Sequence, residues 1–242
     1  MDQDGGGSRV MMPAQIFDRA RQAGRTALDE PSGKALLATY GIAVPRSLVV
    51  SGVGDIEAAL DELAPPYVVK VISPDILHKS DAGGVKIGLQ NAAEVAQAIR
   101  TMMGQPVISE SRIEGFLVEE MVPAGQEIVI GGVRDPDFGP LVMVGLGGIF
   151  VEILADVAFR ICPITRIDAE EMLAELKGAA ILEGARGHRP VPKAAIVDAL
   201  LKMGGEAGLL MRHAGEIREA DVNPLIVSEN GACAADARFV LT

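Results

Sequence analysis

Lys70 lies inside an apolar run, residues 67–72, which the sequence predicts to be a strand. A buried ammonium group loses its hydration unless an anion meets it, so this lysine is a candidate for binding a negatively charged ligand. The strand leads into a polar loop, residues 73–86, that contains Gly83 and Gly84 and two further lysines. Glycines let backbone N–H groups approach a phosphate closely. The alternative is an edge-strand lysine that reaches water, followed by an ordinary hairpin.

A second candidate site lies towards the end of the chain. Asn223 begins a predicted strand and Asp236 lies on the next one, so a hairpin would bring an amide oxygen and a carboxylate together. Two hard oxygen donors, completed by phosphates and water, suit Mg²⁺. The alternative is a turn asparagine and a solvated aspartate at a strand end.

Two common phosphate-binding motifs are absent from the sequence. Leu28 and Ala35 stand where a P-loop around Gly33-Lys34 would need glycine and serine or threonine. In the glycine-rich run at 145–150, Phe150 replaces the last glycine of a dinucleotide-binding motif. A nucleotide site in this chain must therefore be built from distributed residues.

The periodicity predicts an α+β protein with two lobes and a ligand cleft between them. Apolar runs bounded by Gly, Pro and Asp predict the strands, and those from residue 115 onward are expected to form one antiparallel sheet. Predicted helices cover residues 14–24, 31–40, 56–63, 92–103, 169–177 and 193–212. Predicted strands cover residues 47–50, 67–72, 85–89, 116–122, 127–133, 141–146, 150–154, 157–161, 222–227 and 232–239.

Composition excludes several classes of protein. The formal net charge is −11 and tryptophan is absent, so the chain has neither the basic stripe nor the stacking surfaces of a nucleic-acid-binding protein. The longest charge-free apolar stretch, residues 139–151, is too short to span a bilayer. Residues 1–12 are polar and glycine-rich, which predicts a flexible leader rather than a secretion signal. We expect a cytoplasmic protein.

Several segments, taken together and in order, resemble the ATP-grasp (beta) subunit of ADP-forming acetyl-CoA synthetases. They resemble the succinyl-CoA synthetase beta subunit more distantly. The resemblance covers residues 17–241 and implies an ATP-grasp fold with a larger lobe, residues 13–45 plus 119–242, and a smaller lobe, residues 46–118, that covers the nucleotide. The matching segments are residues 69–71, 73–86, 118–122 with Glu127, 134–140, 145–148 and 221–225.

The resemblance implies a binding site for ATP or ADP. Lys70 would hold the nucleotide phosphates, Glu119 and Val122 would contact the adenine, and Glu127 would bind the ribose. The loop after the first strand would cover the phosphates with His78, Lys79, Ser80, Gly83, Gly84 and Lys86.

The same resemblance assigns residues to the chemistry. Asn223 and Asp236 match the magnesium ligands, and Asp221 matches the acid that steadies a partner's phosphohistidine, since a carboxylate orients an imidazole. Arg134 would neutralise phosphoryl charge. Some ADP-forming synthetases are thought to use a histidine at the position of His78 as a second phosphoryl carrier; a hydrogen bond to the nucleotide or no role at all are the alternatives.

The implied reaction is acyl-CoA + ADP + phosphate ⇌ acid + ATP + CoA. The chain contains only His78, His188 and His213, and its sequence has no counterpart of the CoA-binding portion. We therefore expect a partner chain that binds CoA and carries the phosphorylated histidine. One rival is an ATP-grasp ligase that forms an acyl phosphate without a histidine carrier, against which Asp221 and His78 argue. Another is a non-catalytic ATP-sensing module that regulates a partner such as a protein acetyltransferase.

Overall fold

The computed structural model describes residues 11–76, 78–148, 155–184 and 190–242. Within these ranges the helices are α1 (Pro13–Gln22), α2 (Glu30–Thr39), α3 (Ile56–Leu60), α4 (Ala92–Met103), α5 (Pro106–Ser109), α6 (Arg166–Glu175), α7 (Lys193–Gly204) and α8 (Leu209–Arg212). The strands are β1 (Ser47–Val50), β2 (Tyr67–Ile72), β3 (Val85–Leu89), β4 (Gly115–Glu120), β5 (Gln126–Asp135), β6 (Gly139–Leu146), β7 (Val157–Ile161), β8 (Ile217–Ser228), β9 (Gly231–Ala234) and β10 (Arg238–Leu241). The predicted α+β class is confirmed.

The first sheet has the strand order β1-β4-β2-β3, and its neighbouring strands are antiparallel. Every residue of β2 is buried, because α4 lies against the strand and, at Lys70, Glu30 of α2 and the Ala235 carbonyl contact it as well. The core of this sheet combines strand residues such as Val69 and Phe116 with Val95, Ile99 and Met102 of α4.

The second sheet has the order β10-β8-β5-β6-β7, with β9 paired to β8. Helices α1, α2, α6, α7 and α8 contribute to the core on one of its faces, where Ile130 and Val144 meet Leu36, Leu200 and other buried side chains. A Cβ atom at Gly132 would clash with the Leu210 side chain of α8, whereas one at Gly131 would point to the opposite face. The opposite face carries the candidate site.

Three sequence predictions about these elements are wrong. The strand predicted at 116–122 is β4, which joins the first sheet because Val118 pairs with Val69 instead of joining the later strands. The helix predicted at 193–212 is broken into α7 and α8 near Gly208, where backbone atoms leave no room for a side chain. The strand predicted at 232–239 is interrupted, and Asp236 lies between β9 and β10. The strand predicted at 150–154 lies outside the described residues.

No helix in the described part of the chain is long and apolar enough to cross a membrane.

Gly84 closes the loop between β2 and β3. Its N–H donates to the Lys79 carbonyl at 2.7 Å, and its own carbonyl accepts from the Val71 N–H at 2.9 Å. A Cβ atom there would lie 2.5 Å from Val71 Cγ1, closer than real contacts allow.

We predict that Gly84→Ala lowers the free energy of unfolding by about 2 kcal/mol, because the added methyl group overpacks a buried contact. Chemical denaturation measures this loss. Gly54→Ala is the matched control, since a Cβ at Gly54 has no heavy atom within 4 Å. Equal stability of both variants would contradict the role of Gly84.

Candidate nucleotide and phosphoryl-transfer site

A cleft of about 680 Å³ is lined by residues of both sheets and of the β2–β3 loop. This volume lies in the range of small-molecule and cofactor sites. Several sequence-predicted residues meet here: His78, Lys79, Ser80, Asp221, Asn223 and Asp236. Residues that the sequence analysis did not select also line it: Arg25, Glu30, Arg112 and Arg238.

Strand alternation explains the acidic side of the cleft. Successive side chains on β8 point to opposite faces, so Asp221 and Asn223 share one face while Val222 is buried on the other. Arg238 on β10 stands directly opposite Asp221 in the antiparallel register. Asp236 enters the same cleft from the segment that precedes β10.

The β2–β3 loop is folded by its own hydrogen bonds. The Gly83 N–H donates to the Ser80 carbonyl at 3.0 Å, and the Ala82 N–H donates to the His78 carbonyl at 3.2 Å. Together with the Gly84 N–H bond to Lys79, these bonds present His78 as an exposed side chain at the cleft. The two glycines therefore shape the loop, and in this structure their N–H groups do not form the phosphate cradle that the sequence suggested.

Four buried charged residues meet where α2 contacts the first sheet, and we call them the ionic cluster: Glu30, Lys34, Lys70 and Glu119. Asp29 caps α2 by accepting from the Ser32 N–H at 2.9 Å, which places Glu30 in the first helical turn. Lys34 follows one turn later, with its Nζ 2.8 Å from Glu30 Oε1 and 2.5 Å from Glu119 Oε2. The cluster thus joins α2 to β2 and β4.

Lys70 is fully occupied by protein oxygens. Its Nζ lies 2.6 Å from Glu30 Oε1, 2.8 Å from Glu119 Oε1 and 2.6 Å from the Ala235 carbonyl. An ammonium group has three protons, so all its donors have partners. The sequence prediction that Lys70 needs an anion is correct, but the anions are two carboxylates of the protein. Binding of phosphate by Lys70, or of adenine by Glu119, stays a prediction that requires this cluster to rearrange.

Burial and charge act in opposite directions on the pKa values of the cluster. Burial alone would raise the pKa of Glu30, but the ammonium groups of Lys70, Lys34 and Lys79 outweigh it and lower the pKa from 4.5 to about 2. Burial would likewise lower the pKa of Lys70, yet Glu30 and Glu119 raise it above the usual value. Both groups are therefore charged at neutral pH.

Lys79 connects the ionic cluster to the cleft. Its Nζ pairs with Glu30 Oε2, and it lies 3.9 Å from Asp236 Oδ1. Asp236 is a third carboxylate beside the three ammonium groups of Lys34, Lys70 and Lys79, so these charges balance as they stand. A cation bound at Asp236 would leave three ammonium groups facing two carboxylates, which favours an anionic ligand such as a phosphate chain.

Asp236 and Asn223 are the residues of the cleft that suit a cation. Burial raises the pKa of Asp221, the nearby Asp236 carboxylate raises it further, and Arg238 opposes both. A divalent cation at Asp236 would relieve this repulsion, and the Asn223 amide oxygen is a second hard donor of the kind Mg²⁺ prefers. The residues present therefore fit a magnesium ion held jointly with phosphate oxygens.

Other predicted residues do not line this cleft. Arg134 shares the helix-covered face with Gly132, by strand alternation, so the structure does not bring it to Asp221. Lys86 is exposed on β3, and Val122 follows β4 half-buried. Glu127 is exposed on β5, where its carbonyl accepts from the Gly147 N–H at 2.8 Å. The assignments of these residues stay predictions, and for Arg134 the geometry gives no support.

Of the two remaining histidines, His213 lies away from this chemistry. His213 caps the end of α8, and its Nε2 lies 2.8 Å from the Tyr40 hydroxyl. His188 lies outside the described residues.

Glu30 and Lys34 are the main functional residues that sequence reasoning missed. A signal was present: an acid and a lysine four residues apart, directly after the helix-capping Asp29. That spacing is common on solvated helix faces, so nothing in it indicates burial.

A model of the ATP-grasp domain matches residues 19–241. The chain is 44% identical to the acetate–CoA ligase [ADP-forming] I subunit beta of Pyrococcus furiosus, over 96% of this chain and 99% of the relative. The chain belongs to the ATP-grasp family of ADP-forming acetate–CoA ligase beta subunits.

Solved structures of this family have the same fold. A Ca. Korarchaeum cryptofilum acetyl-coenzyme A synthetase 1 in complex with coenzyme A and Ca-AMPCP superposes with a TM-score of 0.90 at 39% identity, covering 96% of this chain and 100% of that one. A second structure, with coenzyme A and Mg-AMPPCP and with its phosphohistidine segment pointing towards the nucleotide binding site, has a TM-score of 0.80 at 39% identity, covering 94% of this chain and 99% of that one.

Family members also occur as longer chains. The chain is 42% identical to the acetate–CoA ligase [ADP-forming] I of Archaeoglobus fulgidus, which it matches over 86% of its own length but 30% of that protein. The family therefore includes separate beta subunits and single chains that hold much more than this chain's counterpart.

We predict that Glu30→Gln lowers the free energy of unfolding at pH 7 by about 3 kcal/mol, because it leaves buried lysines without a counter-charge. The folded-state pKa of Glu30 is depressed, so its contribution is present above about 4.5 and is lost as the pH falls towards about 2. The difference between wild type and variant should therefore shrink over that window, as measured by denaturant unfolding at several pH values.

The exposed Glu206 supplies the control variant, Glu206→Gln, which should unfold like the wild type. A Glu30→Gln variant as stable as the wild type at pH 7 would show that the cluster contributes nothing to stability.

Proposed function

We propose that this chain is the nucleotide-binding subunit of an ADP-forming acyl-CoA synthetase, with acetyl-CoA as the reference substrate. It passes a phosphoryl group between a histidine of a CoA-binding partner subunit and Mg-ADP or Mg-ATP. One observation carries this proposal: four residues with separate roles line a single cleft. Lys79 comes from the β2–β3 loop, Asp221 matches the acid that steadies a phosphohistidine, and Asn223 and Asp236 match the magnesium ligands.

The transfer step balances within this cleft. The bond between phosphorus and the histidine nitrogen breaks, and a bond forms between phosphorus and a terminal β-phosphate oxygen of ADP. The other ring nitrogen carries a proton, and the Asp221 carboxylate accepts that hydrogen bond, so the ring leaves as a neutral imidazole. Such transfers depend on positioning and charge neutralisation.

The cations and donors of the cleft have separable tasks. Lys79 and Arg238 line the cleft and provide positive charge beside the phosphoryl path, and Asn223 and Asp236, which also line it, would hold the magnesium ion. The bound ion supplies charge neutralisation at the phosphate oxygens. Engagement of Asp236 with the ion would leave Lys79 paired with Glu30 alone, and a nucleotide phosphate would then compete with Glu30 for Lys79.

The two sheets support the expected division of the chain into two lobes. We assign residues 46–118 to the nucleotide-covering lobe and residues 13–45 with 119–242 to the larger lobe, with β4 extending to Glu120 across that boundary. Because the reactants are ATP, ADP and CoA esters, we place the reaction in the cytoplasm.

Reconstitution tests the proposal. The purified chain, given acetate, CoA and Mg-ATP, should make no acetyl-CoA, and addition of the CoA-binding subunit that is co-expressed with it from the source genome should start synthesis with ADP as product. The reason is that the described residues supply the nucleotide cleft while the histidine comes from the partner. Acetyl-CoA and ADP are quantified by chromatography.

Asp236→Ala is the control, and we expect it to reduce synthesis at least about a hundredfold. Loss of a residue that only orients a metal ligand typically costs about 10- to 100-fold in activity, and Asp236 is proposed to bind the ion directly. Synthesis by the chain alone, or none by the mixture, would refute the proposed function.

His78 is proposed as a second phosphoryl carrier. It is exposed at the cleft, where the Lys79 ammonium group would stabilise a phosphoimidazole as it would a nucleotide phosphate. In this role the γ-phosphorus of ATP is transferred to the ring nitrogen, the bond to the β-phosphate oxygen breaks, and ADP is released.

We predict that γ-labelled ATP with magnesium leaves acid-labile, base-stable label on the isolated chain. His78→Ala should abolish that label and change nucleotide affinity by less than about tenfold, or roughly 1.4 kcal/mol. His213→Ala is the matched control and should keep the label, since His213 is held by Tyr40 away from the cleft. Equal labelling of His78→Ala would remove His78 from the role.

A further inference from the structure

The open face of the second sheet continues beyond Asp221 as an apolar surface. The strand register places one residue from each of four strands in a single row: Asp221 opposite Gly131, Gly131 opposite Met143, and Met143 opposite Phe159. The adjacent row runs in the same way from β8 to β7: Glu219, Val133, Leu141 and Ile161. Asp221 therefore stands at the edge between the polar cleft and this face.

Large apolar side chains of this face are open to solvent. Phe159 is 50% exposed, Ile161 51% and Val133 40%, although strands β5, β6 and β7 bury their alternate residues against the helices. The rows form a shallow groove of about 430 Å³ that also reaches Asp221, Asn223 and Arg238. A contiguous exposed apolar surface of this kind marks an interaction site.

Met143 covers Gly131 beside Asp221. A Cβ at Gly131 would lie 2.9 Å from Met143 Cε, so the Met143 side chain lies over the β5 backbone at this position. An incoming segment therefore meets an apolar surface directly next to the carboxylate.

The geometry restricts how a histidine can reach Asp221. Arg238 borders the acid on the β10 side, and the loop with His78 and Lys79 lines the cleft on another side. The groove offers an approach to Asp221 along the sheet from the β5 side, and its lining there is apolar. A chain that brings a histidine to Asp221 along it covers Met143 and Phe159.

We propose that the surface formed by Val133, Leu141, Met143, Phe159 and Ile161 is the docking surface for the histidine-bearing segment of the CoA-binding partner subunit. This inference rests on the proposed function. It explains why an apolar face begins directly at the acid that receives the histidine.

The test uses the reconstituted pair of chains. Phe159→Glu places a charge on the docking surface, and we expect kcat/KM measured against the concentration of the partner subunit to fall about thirtyfold, the size typical of a central interface residue. The Kd of the isolated variant for Mg-ADP should stay within about twofold of the wild type, because Phe159 does not line the nucleotide cleft.

Two further variants make the result specific. Phe159→Ser removes the ring without adding charge and should show a smaller loss in the same direction, while its thermal melting confirms folding. Ile167→Glu is the matched control, since Ile167 is 67% exposed on α6, away from this face, and should leave kcat/KM unchanged.

Each outcome decides the inference. Wild-type kinetics in Phe159→Glu would overturn the docking surface while leaving the proposed function intact. Inactivity of the wild-type pair would refute the proposed function and remove the occupant of the surface with it. Sedimentation of the isolated chain tests whether a second copy of this chain occupies the surface. If the wild type is a dimer and Phe159→Glu is a monomer, the surface belongs to a second copy and the partner assignment is overturned.

Discussion

The ion pairs of Glu30 with Lys34, Lys70 and Lys79 join the two sheets, and the position of the cleft depends on them. Isolated charges at these positions would cost several kcal/mol each, so the group is tolerated because each charge meets an opposite one. The gain is geometric specificity: carboxylate and ammonium groups fix where α2 sits against the first sheet more narrowly than apolar side chains of similar size would. The β2–β3 loop takes its place from the same cluster through Lys79.

Basic and acidic side chains line the cleft next to the ionic cluster. Lys79 and Arg238 line it together with Asp221 and Asp236, and the Asp236 carboxylate raises the pKa of Asp221. A protein selected for stability alone would not keep two acids so near each other. Such arrangements are typical of functional sites, where ligand charge completes the balance.

Local elements were predictable to the extent that their signals are local. Strands β2 and β3 and helix α4 follow the apolar periodicity and the Asn91 cap, and the structure places them where the sequence predicts. The β8 segment with Asp221 and Asn223 was identified by its motif, and strand alternation brings both to one face. Contacts between residues far apart in sequence were not predictable. Glu30, whose carboxylate binds Lys70, lies 40 residues earlier, and no local sequence pattern predicts that contact. The sheet that receives β4 was mispredicted for the same reason, because pairing depends on tertiary contacts.

The contact between Lys79 and Glu30 has a consequence for turnover. Glu30 binds the same lysine that a nucleotide phosphate would bind. A phosphate ligand must displace Glu30 from Lys79, and this displacement lowers its net binding free energy. The same cost applies to ATP and to ADP, and Glu30 can pair with Lys79 again when either nucleotide leaves. In a reversible phosphoryl transfer, this arrangement favours the release of both nucleotides.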